Sequence, residues 1–383
     1  MTQAIPVNRD VLKWARETSG LSIPDVARRL NKDPNVILCW EKGDLSPTYP
    51  QLEKLAYEIY KRPAAVFFFP VIPQESAIKA DFRTLPQEVV DDMPPEIIKI
   101  YRKAKVYQLN LEELDTQTKP EPLLLDEFKL TNASNIAKLA KEIRAFLKLD
   151  LQTQIEWKNL DDAIDGWRNV LTTCGIYLFK DAFKNDNYSG LSLYDEKYPV
   201  IILNNSMSKA RQIFSIFHEL AHLLRKSGGI DILKETFNDR ATSDYQLIEQ
   251  KCNEFAGEFL LPKDVFLAER LTFSERAITE LADHFKVSRE VVLRKYLDAN
   301  LIDDKTYKSF TDKWLGDYFK SRQRKKDDDG GNPYYTKKSY LGMYYINLAF
   351  SQYYQGKINA EMLADYLGEK VGNLSTFEGY VLR

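Results

Sequence analysis

The chain has 383 residues, 44% of them hydrophobic and 29% charged, with 54 Lys and Arg against 56 Asp and Glu and a formal charge of -2. That length predicts two or three domains, and the near-neutral charge excludes a global field that would draw the chain to nucleic acid or an anionic membrane. No apolar run approaches the roughly 18 to 20 residues of a membrane span, the start MTQAIPVNRD lacks the apolar core of a secretory signal, and three scattered cysteines, Cys39, Cys174 and Cys252, argue for a reducing compartment over a disulfide framework.

Residues 8–62 read as a run of short helices. Val11, Leu12 and Ala15, then Val26, Ala27 and Leu30, then Leu52, Leu55, Ala56 and Ile59 recur at the helical period. Gly20 separates the first two helices. Asp33-Pro34 opens the third, because the carboxylate accepts orphan N–H groups and proline lacks the one it would waste; Gly43 closes it. VFFFPVIP marks the edge of this first domain, and residues 92–160 give amphipathic helical patterns interrupted by TKPEP around Pro120 and Pro122.

The texture changes at Gly175. IYLF (176–179), GLSLY (190–194) and PVIILN (199–204) are short, β-branched or aromatic and separated by turn-rich segments, as in a small antiparallel sheet. A helical period resumes over 207–225 with Ile213, Phe214, Phe217, Leu220 and Leu224, and again over about 244–261, where Pro262 stops it. Strands followed by helices indicate an α+β domain. Residues 275–300 look like a second helix-turn-helix, expected to pack as structure. SRQRKKDDDGGNP (321–333) reads as a charged linker, and the tail is helical and rich in tyrosine pairs, which suit a core or an oligomer surface and leave a homodimer open.

The chemistry lies in FHELAHLL. His218 and His222, two of only three histidines, stand four residues apart on one helix, so both imidazoles face the same way and can share a metal ion. Glu219 is placed beside them to take a proton from metal-activated water. An accidental HExxH in a chain with three histidines has odds on the order of one in a thousand. A zinc site needs a third protein ligand, and His284 belongs to a separate helix pair, so a carboxylate must serve. The residues alone leave Asp231, Glu235, Asp239, Asp244, Glu249, Glu254 and Glu258 as candidates. Glu249 leads modestly, because it opens the polar face of its helix with Asn253 one turn on to position it.

The stretch SGLSLYDEKYPVIILNNSMSKARQIFSIFHELAHLL, followed by EQKCNEFAGEFLLP, resembles the ImmA/IrrE family of zinc metallopeptidases. The resemblance implies a zincin-like, gluzincin-type α+β fold, Zn2+ held by His218, His222 and Glu249, and Glu219 as general base. One departure is visible: the family usually has Thr-Leu-Ala before HE, whereas this chain has Ser215-Ile216-Phe217. A substrate is expected to lie extended beside Gly190-Leu191-Ser192 as an added strand. Tyr188, Tyr194 and Arg211 are candidates to stabilise the oxyanion.

Residues 9–62 resemble the XRE (Cro/C1-type) helix-turn-helix, with its W-E-x-G and downstream proline. Its third helix is short of base-reading side chains: it begins Asp33, Pro34, Asn35, with Cys39 one turn later, and Ile23 stands where many phage repressors have a phosphate-binding Gln. Ten basic against eight acidic residues over 8–62 give a formal charge of +2, enough for modest phosphate attraction. DNA contacts, if made, are expected at Arg28, Arg29, Lys32, Asn35 and Lys42; dimerisation or grip on a protein partner is the other use of such a unit.

The expected architecture is therefore multidomain α+β. It runs from an all-α helix-turn-helix domain (8–73) through a helical connector (74–165) to a peptidase core (166–265). A helix-turn-helix-like subdomain (266–320) and a linker with a tyrosine-rich helical region (321–383) complete it. The order of domains resembles prokaryotic regulators of prophages, stress responses and toxin-antitoxin loci. Two functions are expected: a cytoplasmic zinc endopeptidase with a protein substrate, or a largely non-catalytic antitoxin or repressor that binds a toxin partner and its own promoter DNA.

Overall fold

The computed structural model describes residues 6–60, 62, 64–73, 81–82, 85–86, 89–90, 92–115, 123–232, 243–270, 272–324 and 332–382. The chain divides into two units, Met1–Lys103 and Ala104–Arg383. It is mostly helical, with one small sheet, and no helix among the described residues is long and apolar enough to cross a membrane. TKPEP and most of the basic–acidic run at 325–331 lie outside the described residues.

The first unit begins with α1 (Arg9–Glu17), α2 (Ile23–Leu30) and α3 (Pro34–Lys42). Each starts where local chemistry can satisfy orphan N–H groups. The Asn8 side chain caps α1, Ser22 and Asp25 form a reciprocal capping box on α2, and Asp33 accepts Asn35 N–H at 2.8 Å with Pro34 in the first turn of α3. Asn31, with φ 54°, turns the chain between α2 and α3, and Gly43, with φ 84°, ends α3 in the left-handed region that glycine adopts without cost. Val11, Leu12, Val26, Ala27, Ile37 and Trp40 meet in one core. Beside it Arg16 grips Glu41 with two hydrogen bonds, Nε to Oε1 at 2.6 Å and Nη2 to Oε2 at 3.0 Å, both side chains being mostly buried. This pair ties α1 to α3 and occupies the Glu of the Trp-Glu motif.

In the second unit a four-stranded sheet is built from β1 (Tyr177–Asp181), β2 (Tyr188–Leu193), β3 (Val200–Asn204) and β4 (Gly229–Ile232), in the order β1-β3-β2-β4. The expected antiparallel sheet is thus corrected to a mixed one: β2 runs antiparallel to β3 and β4, but β1 pairs with β3 in parallel. The uninterrupted apolar run of β3 explains the order. All five of its residues are buried, as in a strand covered on both faces, so it takes an interior place between β1 and β2. Being antiparallel to β2, it runs in the direction of β1. The fourth strand, Gly-Ile-Asp-Ile, was not foreseen from the sequence.

Helix Lys209–Leu224 lies across β2, β3 and β4, and helix Ser243–Leu260 packs along it, backed on its other side by helix Ile136–Phe146. Helices Glu275–Phe285 and Arg289–Asp298 send Ile278, Leu281, Phe285, Val292 and Tyr296 into the same core. The buried Arg144 donates to Phe259 O at 2.8 Å and to Gln154, whose amide in turn donates to Leu260 O and Phe285 O. This node satisfies the last carbonyls of helix Ser243–Leu260. On the opposite side Arg168 donates to Leu178 O in β1 and to Ser339 O and Tyr340 O in the tail helix Pro333–Leu341. Its burial lowers the guanidinium pKa to about 10.

Glu41→Ala strands the buried Arg16 charge. It is expected to cost about 3 kcal/mol in urea unfolding of the full chain, and the double variant Arg16→Met, Glu41→Leu to cost clearly less. Equal costs would contradict a buried-charge origin.

Candidate metal centre

The motif helix Lys209–Leu224 is capped by Ser208, whose side chain accepts Arg211 N–H at 3.3 Å. Its apolar face, from Ile213 through Leu224, is buried, and His218, Glu219 and His222 are buried with it, none more than 1% exposed. Phe217, the departure before HE, packs edge-on to Trp167 and stacks on Phe259 with ring centroids 4.3 Å apart. It fills the core beneath the helix.

Three donors converge between the two helices. His218 Nε2 and His222 Nε2 are 3.2 Å apart; Glu249 Oε2 lies 3.2 Å from the first and Glu249 Oε1 3.3 Å from the second. These three are the described His, Cys, Asp and Glu side chains grouped closely enough to hold a metal ion. A tetrahedral zinc with bonds of about 2.0–2.1 Å places neighbouring donors roughly 3.3 Å apart. The two imidazole nitrogens stand at that spacing, and each has its own Glu249 oxygen at a similar distance, so the three side chains could hold such an ion with a further position open. Glu249 keeps 18% of its side chain accessible, whereas the imidazoles are closed off.

The electrostatics fit a cation in the same place. Burial works against charge on His218, yet Asp231 and Glu249 outweigh it and push its pKa up to about 9. His222 is likewise raised, against its burial, with Cys252 and Glu249 as the favouring neighbours. Glu249 is held far below the carboxylate range despite burial by the two imidazoles.

Of the other candidate ligands, Asp231 is committed elsewhere. It accepts from Arg211 Nη2 at 2.7 and 2.8 Å, from Ser215 Oγ at 2.8 Å and from Ser189 Oγ. Burial opposes its charge, but Arg211, His218 and the serines keep its pKa low. Asp244 is exposed, Glu254 pairs with Lys251 and Glu258 with Lys295; Glu235 and Asp239 lie outside the described residues. Arg211, a candidate oxyanion stabiliser, is engaged by Asp231. Tyr188 is buried in β2, and Tyr194 packs against the core.

Glu219 is fastened to the sheet. Ser192 Oγ donates to its Oε2 at 2.6 Å and Asp231 N–H to its Oε1 at 3.0 Å, while Gly229 N–H donates to Ser192 Oγ at 3.1 Å. A Cβ on Gly190 would come within 3.1 Å of the Glu219 side chain, so glycine there lets the carboxylate lie against β2. Burial raises the Glu219 pKa, tempered by the two imidazoles.

Asn253, expected to position Glu249, instead faces His218, its Oδ1 2.9 Å from Nδ1. Tyr245 was missed by sequence reasoning. It is 6% exposed, and its hydroxyl hydrogen-bonds Glu249, so burial and that carboxylate raise its pKa well above the usual range. The spacing Tyr245–Glu249, one helical turn, was the available signal. On the α2–turn–α3 surface, Arg28, Arg29, Lys32, Asn35 and Lys42 are all exposed, with Arg28 Nη2 3.3 Å from Asp25.

A mixed sheet crossed by an HExxH helix, with a glutamate from the next helix closing the donor set, has the make-up of a metallopeptidase domain. Residues 172–296, which hold all four strands and all three donors, match the peptidase M78 family model, described as an IrrE N-terminal-like domain. Two curated relatives share this region. The radiation response metalloprotease IrrE of Deinococcus deserti is 34% identical over 99 residues, covering 25% of this chain and 34% of the relative. IrrE of Deinococcus radiodurans is 32% identical over 104 residues, covering 26% and 31%. The chain thus spans about a third of the length of the curated relatives it matches. Among solved structures, a Mycobacterium tuberculosis transcriptional regulator aligns at 19% identity with a TM-score of 0.28, over 42% of this chain and 45% of that one.

Purified from zinc-replete medium, the protein is expected to carry about one equivalent of zinc, lost in His222→Ala and Glu249→Ala; full loading of either variant would contradict the site. Because His218 in the metal-free protein keeps its proton up to about pH 9, zinc must displace it. Affinity measured by chelator competition should therefore weaken as pH falls from 9 to 6, by up to about tenfold per unit for each proton released, and a flat profile would count against this coupling.

Proposed function

We propose that this chain is a zinc-dependent metallopeptidase coupled to a helix-turn-helix regulatory unit, acting on a protein in a bacterial stress, prophage or toxin-antitoxin circuit. The observation that carries this reading is the meeting of His218, His222 and Glu249 at 3.2–3.3 Å, with the buried Glu219 next to the first histidine on its helix. Two curated relatives sharing the region are metalloproteases by name.

Bound zinc would supply Lewis acidity, drawing the pKa of a water towards ~7 and polarising a scissile carbonyl. Everything else falls to the protein. Glu219 accepts the proton from the attacking water and returns it to the leaving amine. Its carboxylate is kept in place by Ser192 and the Asp231 amide, and its raised pKa brings it closer to the working pH, where a general base is most effective. Tyr245, hydrogen-bonded to Glu249, is placed to steady that ligand. The substrate strand expected beside β2 has to be relocated: β2 is paired on both sides, by β3 and β4. Among the described strands, the sheet position that remains on this side is the outer edge of β4, where an extended peptide could add by main-chain hydrogen bonds.

A second reading, a non-catalytic antitoxin or repressor binding a toxin partner and promoter DNA, has in its favour the five exposed polar residues Arg28, Arg29, Lys32, Asn35 and Lys42 on α2, α3 and their turn. Against base reading, Asp33 caps α3 with its own carboxylate, where a phosphate would otherwise dock.

Glu219→Gln is expected to retain zinc and to lose at least about 100-fold in cleavage of a mixed peptide library scored by mass spectrometry. Cleavage equal to wild type would remove Glu219 from the mechanism, and a zinc-loaded wild type that cuts nothing while holding a partner protein intact would favour the second reading. Removing both Arg28 and Arg29 is expected to lower the log–log salt slope of duplex DNA binding by about 2; an unchanged slope would place the DNA surface elsewhere.

A further inference from the structure

The two imidazoles are held in different ways. His218 has Asn253 Oδ1 at its Nδ1, the outer partner that ligating histidines nearly always have. Among the described residues His222 Nδ1 is buried with no nitrogen or oxygen partner, and the ring has only the weaker hydrogen-bonding thiol of Cys252 and the Glu249 carboxylate as polar partners beside His218. A weakly partnered ring is free to turn about its last torsion, and a turned ring takes its Nε2 away from the other donors.

What stops it is the backbone of β4. A Cβ built on Gly229 would lie 2.3 Å from both Cδ2 and Cγ of His222 and 2.8 Å from its Cβ, far inside the roughly 3.5–4.0 Å at which carbons pack. The His222 side chain therefore lies hard against the bare Cα of Gly229. Gly229 has no left-handed φ, so its conformation would suit other residues, and it is the His222 side chain, its ring above all, that a Cβ there would meet. Nor can the strand retreat. Gly229 is paired with Ser192 in the ladder and donates to its Oγ, and two residues on Asp231 is clamped by Arg211.

We infer that Gly229 is a positioning residue of the metal centre, whose bare backbone fixes the His222 ring in place of a hydrogen bond. This rests on reading His218, His222 and Glu249 as a metal site. Zinc binding by wild type tests that reading, and the variants below test Gly229.

Gly229→Ala is expected to weaken zinc binding by tenfold or more in chelator competition, and to alter the visible spectrum of the Co2+-substituted protein. Gly257→Ala, on helix Ser243–Leu260 with open space around its Cα, should leave both unchanged. Wild-type affinity in Gly229→Ala would overturn the proposal. Should Gly229→Ala prove too unstable to titrate, a cycle decides. Its loss of melting temperature in metal-free protein should be smaller in a His222→Ala background, where the ring is gone, and an equal loss in both backgrounds would overturn the proposal as well.

Discussion

Taking one carboxylate and two imidazoles out of water between two packed helices is costly unless charge is matched inside, and that requirement governs the second unit. His218, His222 and Glu249 meet it by facing one another, the carboxylate against both imidazoles, each more than four-fifths buried. Glu219 and Asp231 add two more buried carboxylates close by. The surroundings can be read as the set of groups that makes this concentration of charge tolerable.

Arg211 is central to that balance. It leaves the first turn of the motif helix, crosses to β4 and neutralises Asp231, whose backbone N–H then serves Glu219. Ser192 links β2, β4 and the same carboxylate through a single hydroxyl. Helix and sheet are thus joined by polar groups that also set the position of Glu219, so packing of the fold and alignment of the site are one problem. At the far end of helix Ser243–Leu260, the one that carries Glu249, Arg144 and Gln154 hold the last carbonyls.

What the sequence made legible was local. Helix ends at Asp33 and Gly43 follow from capping chemistry within a few residues, and His218, Glu219 and His222 follow from one turn of helix; the caps at Asn8 and Ser22 obey the same chemistry but were not picked out. Spacing alone gave Glu249 only a modest lead; family resemblance raised it, because its meeting with the histidines depends on how two helices pack. Strand order was hidden for the same reason. PVIILN announces a buried strand but not that it will separate β1 from β2, and Gly-Ile-Asp-Ile is too short to show an alternating pattern. Asp231 looked like a ligand and Arg211 like a stabiliser of the oxyanion; each neutralises the other, a pairing across 20 residues that no periodicity reports. Asn253 was placed near the metal but with the wrong partner, since its helix face was readable and the histidine opposite was not.

The guanidinium of Arg168 reaches from the floor of the sheet to two carbonyls in the segment that follows the charged linker. Gly342, with φ 80° and its Cα so close that a Cβ would come to 3.0 Å from Arg168, closes that segment around the cation. One β1 carbonyl and two tail carbonyls thus share a single buried cation. Without the tail's pair that charge would be left short of acceptors against β1, so the sheet is answerable to a stretch of chain 171 residues further on from Arg168.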